Sequence, residues 1–402
     1  MRELIKVTYL ATADEPFDVE KRAKAVALGQ TTDTWTPVEP RGKERVERHR
    51  AVVLDVQPLK RSPGRAAAEF TIGFPPENTQ GDIATLLVMV FGKVSLDGRI
   101  RLQDLVLPDG FLGRLPGPRF GVRGLRRVTG VAERPLAMSI FKPCVGLSPE
   151  DLGEMFLQQA LGGSDVVKDD EILPDLDSCP TEARLARCLQ AAETARRETG
   201  HHCLYAINLT GPATGLVDRA RSLVAQGANC LLFNVLAYGY PTLEALARDP
   251  KVNVPIVAHP AVAGAMGSAP EHGIAYRVIL GTLMRAAGAD VVLFPSSYGS
   301  VALPASETMA IRDALTAPMG PMEATFPGPS AGIHPGMVPQ ILRDYGRDVV
   351  VNAGGGVHGH PRGARAGAMA FRQAIDLAMR GLPVEKAEGS PELAQALGLW
   401  GR

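Results

Sequence analysis

The sequence predicts an α/β protein built from two units. An N-terminal α+β domain of the ferredoxin-like type is expected over residues 1–125, and a C-terminal (β/α)8 TIM barrel with a helical tail over residues 126–402. The chain has 402 residues, more than one small domain usually holds. After Pro135, short apolar runs alternate with helical segments over about 250 residues, the usual size of such a barrel. Polar side chains follow each of these runs.

The N-terminal unit mixes the two kinds of secondary structure. The segment from Val7 to Thr12 predicts a strand, and apolar residues at helical spacing then predict two helices that end at Gly29 and Gly92. We expect Gly29 to adopt the left-handed conformation in which many helices end. Asp82 is placed to cap the second helix, so Lys93 lies on the turn just past the end of that helix.

The barrel prediction rests on eight apolar or β-branched runs, which we interpret as parallel strands. They are Leu136–Phe141, Asp165–Val167, Cys203–Ile207, Cys230–Phe233, Val254–Ala258, Val291–Phe294, Ala324–Pro329 and Val349–Val351. Helix caps support the intervening helices: Ser148 with Pro149 after the first run, and Ser268 before the helix that precedes the sixth run.

The residues that follow these runs predict a single site. In chain order they are Lys142, 168–171, Asn208, Asn234, His259, 295–297, Ser330 and 352–356. Enzymes with this barrel build their chemistry at the C-terminal ends of the strands, where side chains from all eight strands meet. Each residue alone has an ordinary explanation, but together they outline a pocket.

Composition and charge exclude several classes of function. Lys and Arg number 43, and so do Asp and Glu, so the net charge is zero and there is no basic surplus for nucleic acid or anionic lipid. The first ten residues lack the apolar core of a signal peptide, and no apolar run is long enough to span a membrane. The five cysteines show no C-x-x-C spacing, which favours reduced thiols. These features predict a soluble, cytoplasmic protein with a small-molecule partner and no nucleic-acid or membrane partner.

Two interpretations of Lys168, Asp169, Asp170 and Glu171 are open. In isolation, such a run is more often a solvated charge cluster or a local ion pair. The alternative is a magnesium site, because Mg²⁺ prefers carboxylate oxygens and keeps positions open for water or substrate. An ammonium group repels the ion, so Lys168 can join the site only if its neutral amine has taken up CO₂ as a carbamate, which presents oxygen.

Several segments, in matching order along essentially the whole chain, resemble the large subunit of ribulose bisphosphate carboxylase (Rubisco) and the Rubisco-like proteins. They are KPCVGLS (142–148), LGGSDVVKDDE (161–171), AINLTG (206–211), SAGIHPG (330–336) and NAGGGVHGHP (352–361). The resemblance implies that Lys168 is carbamylated and binds one Mg²⁺ together with Asp170 and Glu171. It also implies that Lys142 assists enolisation and that Asp169 belongs to the same substrate-binding segment.

The resemblance further implies a phosphate pocket and an active site shared between subunits. In the family the glycines at 354 and 355 hold a substrate phosphate, and backbone N–H groups at Ser330 and Gly332 are expected to complete this pocket. Thr34 and Trp35 match residues that approach the same phosphate from the N-terminal domain of the neighbouring subunit. We therefore expect a homodimer in which Lys93, Thr34 and Trp35 act in trans.

Departures from the family pattern narrow the activity. Carboxylation needs a lysine on the loop after the sixth strand, yet residues 294–309 contain neither Lys nor Arg, so CO₂ fixation is not expected. Pro260 stands in place of the arginine that binds a second phosphate, which leaves one phosphate site. Cys144 replaces a second lysine, Gly29 a glutamate and Met89 an asparagine.

Within the family, four further stretches are most like the Rubisco-like enolases of methionine salvage: FGKVSLDG (91–98), LLFNVLAYG (231–239), HPAVAGA (259–265) and FPSSYGSVAL (294–303). This implies Mg²⁺-dependent enolisation of 2,3-diketo-5-methylthiopentyl-1-phosphate to 2-hydroxy-3-keto-5-methylthiopentenyl-1-phosphate, with Lys93 as the general base. The alternatives are another Rubisco-like enzyme, such as a decarboxylase or isomerase of a different sugar phosphate, and a non-catalytic barrel that binds a metabolite.

Three roles stay open at the level of sequence. Lys142 either polarises a substrate oxygen or only pairs with the acidic segment. His259 either hydrogen-bonds a substrate oxygen or is a core histidine satisfied by the backbone. Without the resemblance, Lys93 is an ordinary surface lysine.

Overall fold

Two sheets organise the chain in the computed structural model, which describes residues 3–34, 36, 42–59, 64–384 and 389–401. The strands are β1 (Ile5–Asp14), β2 (Val52–Leu59), β3 (Arg65–Phe74), β4 (Ile100–Val106), β5 (Leu136–Ile140), β6 (Val166–Lys168), β7 (Leu204–Asn208), β8 (Cys230–Phe233), β9 (Ile256–Ala258), β10 (Gly273–Ile274), β11 (Val291–Pro295), β12 (Phe326–Ser330) and β13 (Val350–Ala353).

The helices, in chain order, are α1 (Val19–Gly29), α2 (Lys43–Arg48), α3 (Ile83–Phe91), α4 (Asp109–Leu112), α5 (Gly121–Thr129), α6 (Pro149–Leu161), α7 (Thr181–Thr199), α8 (Leu216–Ala225), α9 (Val235–Tyr238), α10 (Tyr240–Arg248), α11 (Ala263–Gly267), α12 (Leu283–Ala287), α13 (Ala305–Thr316), α14 (Val338–Tyr345), α15 (Gly355–His358), α16 (Gly363–Met379) and α17 (Pro391–Trp400). Short 3₁₀ turns lie at Pro76–Asn78, Lys93–Leu96 and Pro335–Met337, and a π-helical turn at Arg277–Thr282 leads into α12. The described part of the chain contains no helix with the length and apolar character needed to cross a membrane.

The first sheet has the strand order β10-β4-β1-β3-β2, and its four long strands are antiparallel. The strand predicted at residues 7–12 is therefore confirmed as part of the longer β1. The fifth strand, β10, comes from the C-terminal half of the chain and pairs parallel to β4. Main-chain pairing thus joins the N-terminal sheet to the rest of the same chain.

The two predicted N-terminal helices form, but one of them ends differently from the expectation. The carboxylate of Asp82 accepts the backbone N–H of Thr85 at 2.9 Å, as a helix cap should, and α3 ends before Gly92. The prediction of a left-handed conformation at Gly29 is wrong. Gly29 is the last helical residue, and the chain continues with right-handed geometry at Gln30, whose backbone N–H still bonds within the helix.

The second sheet is the predicted barrel, and all eight predicted strands are present. Their order is β12-β11-β9-β8-β7-β6-β5-β13, with every neighbouring pair parallel. Where the two end strands approach, the side-chain amide of Asn352 donates to the hydroxyl of Ser330 at 2.8 Å. The cap predicted at Ser148 is confirmed as a capping box with Asp151. The prediction that Ser268 caps the start of the helix at 277–287 is wrong. Ser268 lies at the C-terminal end of α11, and β10 separates it from that helix.

One end of the barrel is closed by packing. Inward-facing side chains of the strands form an apolar cluster with Val122 and Leu125 of α5 and with Val131 behind it. This plug fills the end at which the strands begin, so only the C-terminal ends are left to line a cavity. The division of the chain at residue 125 stays a prediction.

The buried carboxylate of Asp290 ties three segments of the barrel together. One oxygen accepts the backbone N–H groups of Phe120 and Gly121, each at 2.8 Å, and the other accepts that of Ile256 at 2.9 Å. Asp290 precedes β11, Ile256 begins β9, and Phe120 precedes α5. One side chain therefore satisfies three main-chain donors, two of them in buried hydrogen bonds.

We expect Asp290→Ala to lower the free energy of unfolding by about 4 kcal/mol, because three main-chain N–H groups, two of them buried, lose their acceptor together. Urea denaturation followed by circular dichroism measures this loss. Asp313→Ala is the matched control: Asp313 is exposed and pairs with Arg312, so it should cost less than about 0.5 kcal/mol. Equal losses in the two variants would contradict the role given to Asp290.

Candidate active site

A cavity of about 500 Å³ opens at the C-terminal ends of the barrel strands. Nine of the residues predicted for the site line it: Lys142, Lys168, Asp170, Glu171, His259, Ser330, Gly332, Gly354 and Gly355. They come from the ends of five strands that are far apart in sequence. The structure therefore brings these nine residues together at one place.

Lys168 is a fully buried lysine at the end of β6, surrounded by acidic groups. Its ammonium nitrogen lies 3.5 Å from a carboxylate oxygen of Glu171 and donates to the main-chain oxygen of Asp169 at 2.9 Å. Burial lowers the pKa of Lys168, although the carboxylates of Glu171 and Asp170 act in the opposite direction. A lowered pKa makes the neutral amine, the form that reacts with CO₂, more accessible.

Lys142 forms the second lysine–carboxylate pair of the site. Its Nζ lies 2.6 Å from Oδ2 of Asp170 and 3.0 Å from Sγ of Cys144. Burial lowers the pKa of Lys142, but the hydrogen bonds to Asp170 and Cys144 outweigh this, so the pKa is raised above its ordinary value. Lys142 therefore stays an ammonium group, and it points into the cavity as a hydrogen-bond donor.

His259, which follows β9, faces the acidic segment from the opposite wall. The backbone N–H of Ala261 donates to its Nδ1 at 3.2 Å, which leaves the ring proton on Nε2. Nε2 lies 3.3 Å from a carboxylate oxygen of Glu171. Burial, together with the charge of Lys168, lowers the pKa of His259 to about 4. His259 is thus a neutral donor on the cavity wall and is not a core histidine satisfied by the backbone alone.

Two asparagines hold the main chain of the acidic segment in place. The side-chain amide of Asn208 donates to the carbonyl oxygens of Asp170, Glu171 and Leu173, and that of Asn234 donates to the carbonyl of Glu171 at 3.0 Å. The sequence placed both asparagines at strand ends but gave them no role. Their amides fix the direction in which the two carboxylates enter the cavity.

Asp169 does not line the cavity, so its predicted contact with substrate needs correction. Its carboxylate accepts hydrogen bonds from Arg184 on α7 at 3.1 Å, from the hydroxyl of Tyr205 at 2.6 Å and from the backbone of Asn208 at 2.9 Å. Asp169 and Arg184 are both fully buried. Successive residues of an extended chain point to opposite sides, so Asp169 faces the helix layer while Lys168 and Asp170 face the cavity.

Arg184 and Tyr205 were not among the residues predicted from the sequence. A signal for Arg184 was present, because this charged residue lies on the same helix face as the buried Leu185 and Cys188. A charge on a buried stripe requires a buried partner. Nothing in the pattern of β7 distinguished Tyr205 from an ordinary core aromatic residue.

Glycine-containing turns after β12 and β13 form another wall of the cavity. Ala331 and Gly332 both adopt left-handed conformations, with φ of 70° and 77°. A side chain at Gly332 is excluded, because its Cβ would lie 2.5 Å from the backbone nitrogen of Ser300. At Gly355 a Cβ would meet no atom within 4 Å, so its backbone faces open space. Exposed backbone of this kind lets an anion approach closely.

The remaining wall of the cavity is apolar. It is formed by Pro260 after β9, by Leu293 and Phe294 of β11, and by Val301 on the following loop. Val301 is 62% exposed. These four side chains carry no positive charge, which agrees with Pro260 in place of an arginine and with the absence of Lys and Arg from residues 294–309.

The predicted residues of the N-terminal domain lie elsewhere. Lys93 is exposed on the 3₁₀ turn after α3 and lines a separate cavity with Val26, Gln30 and Asp97. Thr34 is also exposed. Trp35 lies outside the described residues. One chain alone therefore does not bring Lys93 to the barrel cavity.

The residues that could hold a metal are two carboxylates, Asp170 and Glu171. In the described part of the chain, no three side chains among His, Cys, Asp and Glu are grouped as a metal site. A divalent ion bound here would need a further oxygen donor from the protein or the substrate. Lys168, within 3.5 Å of Glu171, is placed to supply one if its amine is carbamylated.

Comparison with known proteins gives concordant results. Residues 121–400 match the family model of the ribulose bisphosphate carboxylase large chain, catalytic domain. The chain is 48% identical over 403 residues to the 2,3-diketo-5-methylthiopentyl-1-phosphate enolase of Bacillus licheniformis, covering 100% of this chain and 99% of that protein.

Solved structures agree with this similarity. The crystal structure of a Rubisco-like protein (MtnW) from Alicyclobacillus acidocaldarius has a TM-score of 0.94 and 47% identity, covering 99% of this chain and 100% of that one. An octameric Rubisco from Pyrococcus horikoshii has a TM-score of 0.92 at 31% identity, covering 100% of this chain and 95% of that one.

The opposite orientations of Asp169 and Asp170 can be tested by stability. Asp169→Asn should lower the free energy of unfolding by about 3–5 kcal/mol, because it leaves the buried Arg184 without a counter-charge. Asp170→Asn, the matched control, should cost less than about 1 kcal/mol, because the half-exposed Lys142 can be solvated. Urea denaturation measures both. Similar losses in the two variants would show that Asp169 is not a structural residue.

Proposed function

The chain belongs to the family of the ribulose bisphosphate carboxylase large chain, and from this premise we propose that it is the methionine-salvage enolase of that family. It converts 2,3-diketo-5-methylthiopentyl-1-phosphate to 2-hydroxy-3-keto-5-methylthiopentenyl-1-phosphate and fixes no CO₂. The observation that carries this function is the make-up of one cavity, which combines a lysine–carboxylate cluster, glycine-containing turns and an apolar wall. Full-length relatives with 45–48% identity bear the name of this enolase.

The cavity matches the two ends of this substrate. The phosphate is held by backbone N–H groups of the turns at Gly332, Gly354 and Gly355. The uncharged methylthioethyl end lies against Pro260 and Leu293, where a second phosphate would find no cation. A bisphosphate is therefore a poor substrate for this cavity, and a monophosphate with an apolar tail is a good one.

Mg²⁺ is the proposed cofactor, one per site, held by Asp170, Glu171 and a carbamate on Lys168. The donor set fits, because both carboxylates line the same cavity as the buried lysine, with Glu171 3.5 Å from its amine, and the carbamate would add the oxygen that the described side chains lack. When bound, Mg²⁺ stabilises the negative charge that develops on the substrate oxygens during enolisation.

The side chains of the barrel orient the diketone and stabilise its enolised form. Lys142, held as an ammonium group by Asp170, donates to a substrate oxygen that gains negative charge. His259 carries its proton on Nε2 and donates to a second oxygen. The reaction removes a proton from C1 and forms the C1=C2 double bond, while the oxygen on C2 gains a proton. A base beside C1 is therefore required, and a lysine can serve as that base only in its neutral form.

Lys93 is the proposed base, supplied by the second subunit of a homodimer, with Thr34 and Trp35 reaching the phosphate from the same side. Within one chain, Lys93 lines a different cavity. Val88 and Leu96, on either side of Lys93 in sequence, are 71% and 88% exposed, which is unusual for large apolar side chains and supports a partner surface. We also assign the enzyme to the cytoplasm, where phosphorylated metabolites are retained.

The function is tested by incubating the protein with the diketone in deuterated water and following product and C1 exchange by NMR. We expect turnover only with Mg²⁺ and bicarbonate, and a loss of at least about 10³-fold in Lys168→Ala, because the metal site loses its third oxygen donor. Lys251→Ala, an exposed lysine remote in sequence, is the control. If the protein turned over a different sugar phosphate and not the diketone, it would be another Rubisco-like enzyme. If it bound a ligand equally well with and without Mg²⁺, this would favour a non-catalytic barrel.

Action in trans is tested by mixing two inactive variants, Lys93→Ala and Lys168→Ala. After subunit exchange, half of the dimers are mixed, and each has one complete site, so about a quarter of the wild-type activity should return. Neither variant alone should recover. If Lys93 acted within its own chain, no mixture of the two would regain activity, and the shared site would be excluded.

A further inference from the structure

The last described helix, α17, contacts the segments that directly follow the two turns of the proposed phosphate pocket. The ring of Trp400 stacks on His334, with centroids 6.3 Å apart and planes at 29°. His334 lies two residues after Gly332. The same ring lies against Gly359, which directly follows the one-turn helix α15 that begins at Gly355: a Cβ at Gly359 would lie 3.2 Å from Cζ2 of Trp400.

The two turns also touch each other directly. A Cβ at Gly356 would lie 2.2 Å from the carbonyl oxygen of Ile333 and 3.2 Å from Cα of His334, so the backbones meet with no space for a side chain. Backbones packed closely enough to exclude even a Cβ transmit small shifts from one turn to the other. The ring of Trp400 spans the pair.

The beginning of α17 is fastened to the same region. Nδ1 of His360 accepts the backbone N–H of Arg362, so Nε2 carries the proton and donates to the carbonyl oxygen of Glu392 at 3.0 Å. The carboxylate of Glu392, in turn, accepts from Arg362 at 3.1 Å and from Gln373 on α16 at 2.7 Å. Both ends of α17 are therefore anchored to segments that follow β12 and β13.

We propose that Trp400 is a positioning residue, which acts through His334 and Gly359 to hold the turns after β12 and β13 in the register that binds phosphate. The proposal rests on the proposed function, which places the substrate phosphate on these turns. Backbone donors bind an oxyanion strongly only when they converge on it, and a displacement of about 1 Å can cost a large factor in binding. Trp400 itself does not line the cavity.

The test is the variant Trp400→Ala. We expect KM for the diketo phosphate and the inhibition constant of inorganic phosphate each to rise about tenfold, while kcat changes less than about twofold. Trp400→Phe, which keeps an aromatic ring against His334, should restore most of the loss. Leu399→Ala is the matched control, because Leu399 is the neighbouring residue of the same helix and is 53% exposed.

A purely structural role predicts a different result: a lower melting temperature with unchanged KM and phosphate inhibition, which would overturn the proposal. If Trp400→Ala does not fold, His334→Ala decides, because it removes the ring on which Trp400 stacks and leaves the anchors of Glu392 intact. Weaker phosphate binding in that variant supports the proposal, and wild-type phosphate binding overturns it.

Calorimetric titration with inorganic phosphate separates this proposal from the proposed function. If the wild-type protein does not turn over the diketone but Trp400→Ala still weakens phosphate binding, the positioning role stands while the assigned substrate falls. If turnover is confirmed and Trp400→Ala binds phosphate normally, the positioning role falls alone.

Discussion

The constraint on which the site depends is the burial of Lys168 among carboxylates at the end of a barrel strand. A buried amine and buried carboxylates are costly unless each is held by specific partners, and here the partners come both from the segment itself and from neighbouring strands and helices. Asn208 and Asn234 fix the main chain of the acidic segment, and Arg184 neutralises the one carboxylate that faces away from the cavity. The surrounding barrel thus holds the charged side chains of the acidic segment in fixed positions at the cavity.

Much of the fold could be predicted because its signals are periodic. Eight strands in order, the caps at Asp82 and Ser148, and the convergence of residues at the strand ends all follow from local patterns. The failures occurred where tertiary contacts decide. Gly29 could end a helix in the left-handed form, but the chain winds on to Gln30, and Ser268 could cap a helix, but a two-residue strand intervenes.

The candidate site shows the same division between local and tertiary information. The acidic segment was visible in the sequence, but the run of Asp169 and Asp170 does not show which carboxylate faces the cavity, because the segment leaves its strand at that point. Only the tertiary hydrogen bonds from Arg184 on α7 and Tyr205 on β7 show that the carboxylate of Asp169 faces away from the cavity. For the apolar wall at Pro260 and Leu293, the sequence showed only that an arginine is absent at position 260. The wall itself became evident from the structure, which places strands β9 and β11 side by side.

The small strand β10 has a mechanical consequence. Gly273 and Ile274 extend the N-terminal sheet by main-chain pairing with β4. This pairing links the two domains of one chain and opposes rotation of one domain relative to the other. An enzyme that must admit a substrate and then shield it from water needs a part of its structure that moves to open and close the site. If the protein forms the proposed homodimer and each protomer is stiff, the entry of substrate would depend on motion of the two protomers relative to each other rather than on bending within one chain.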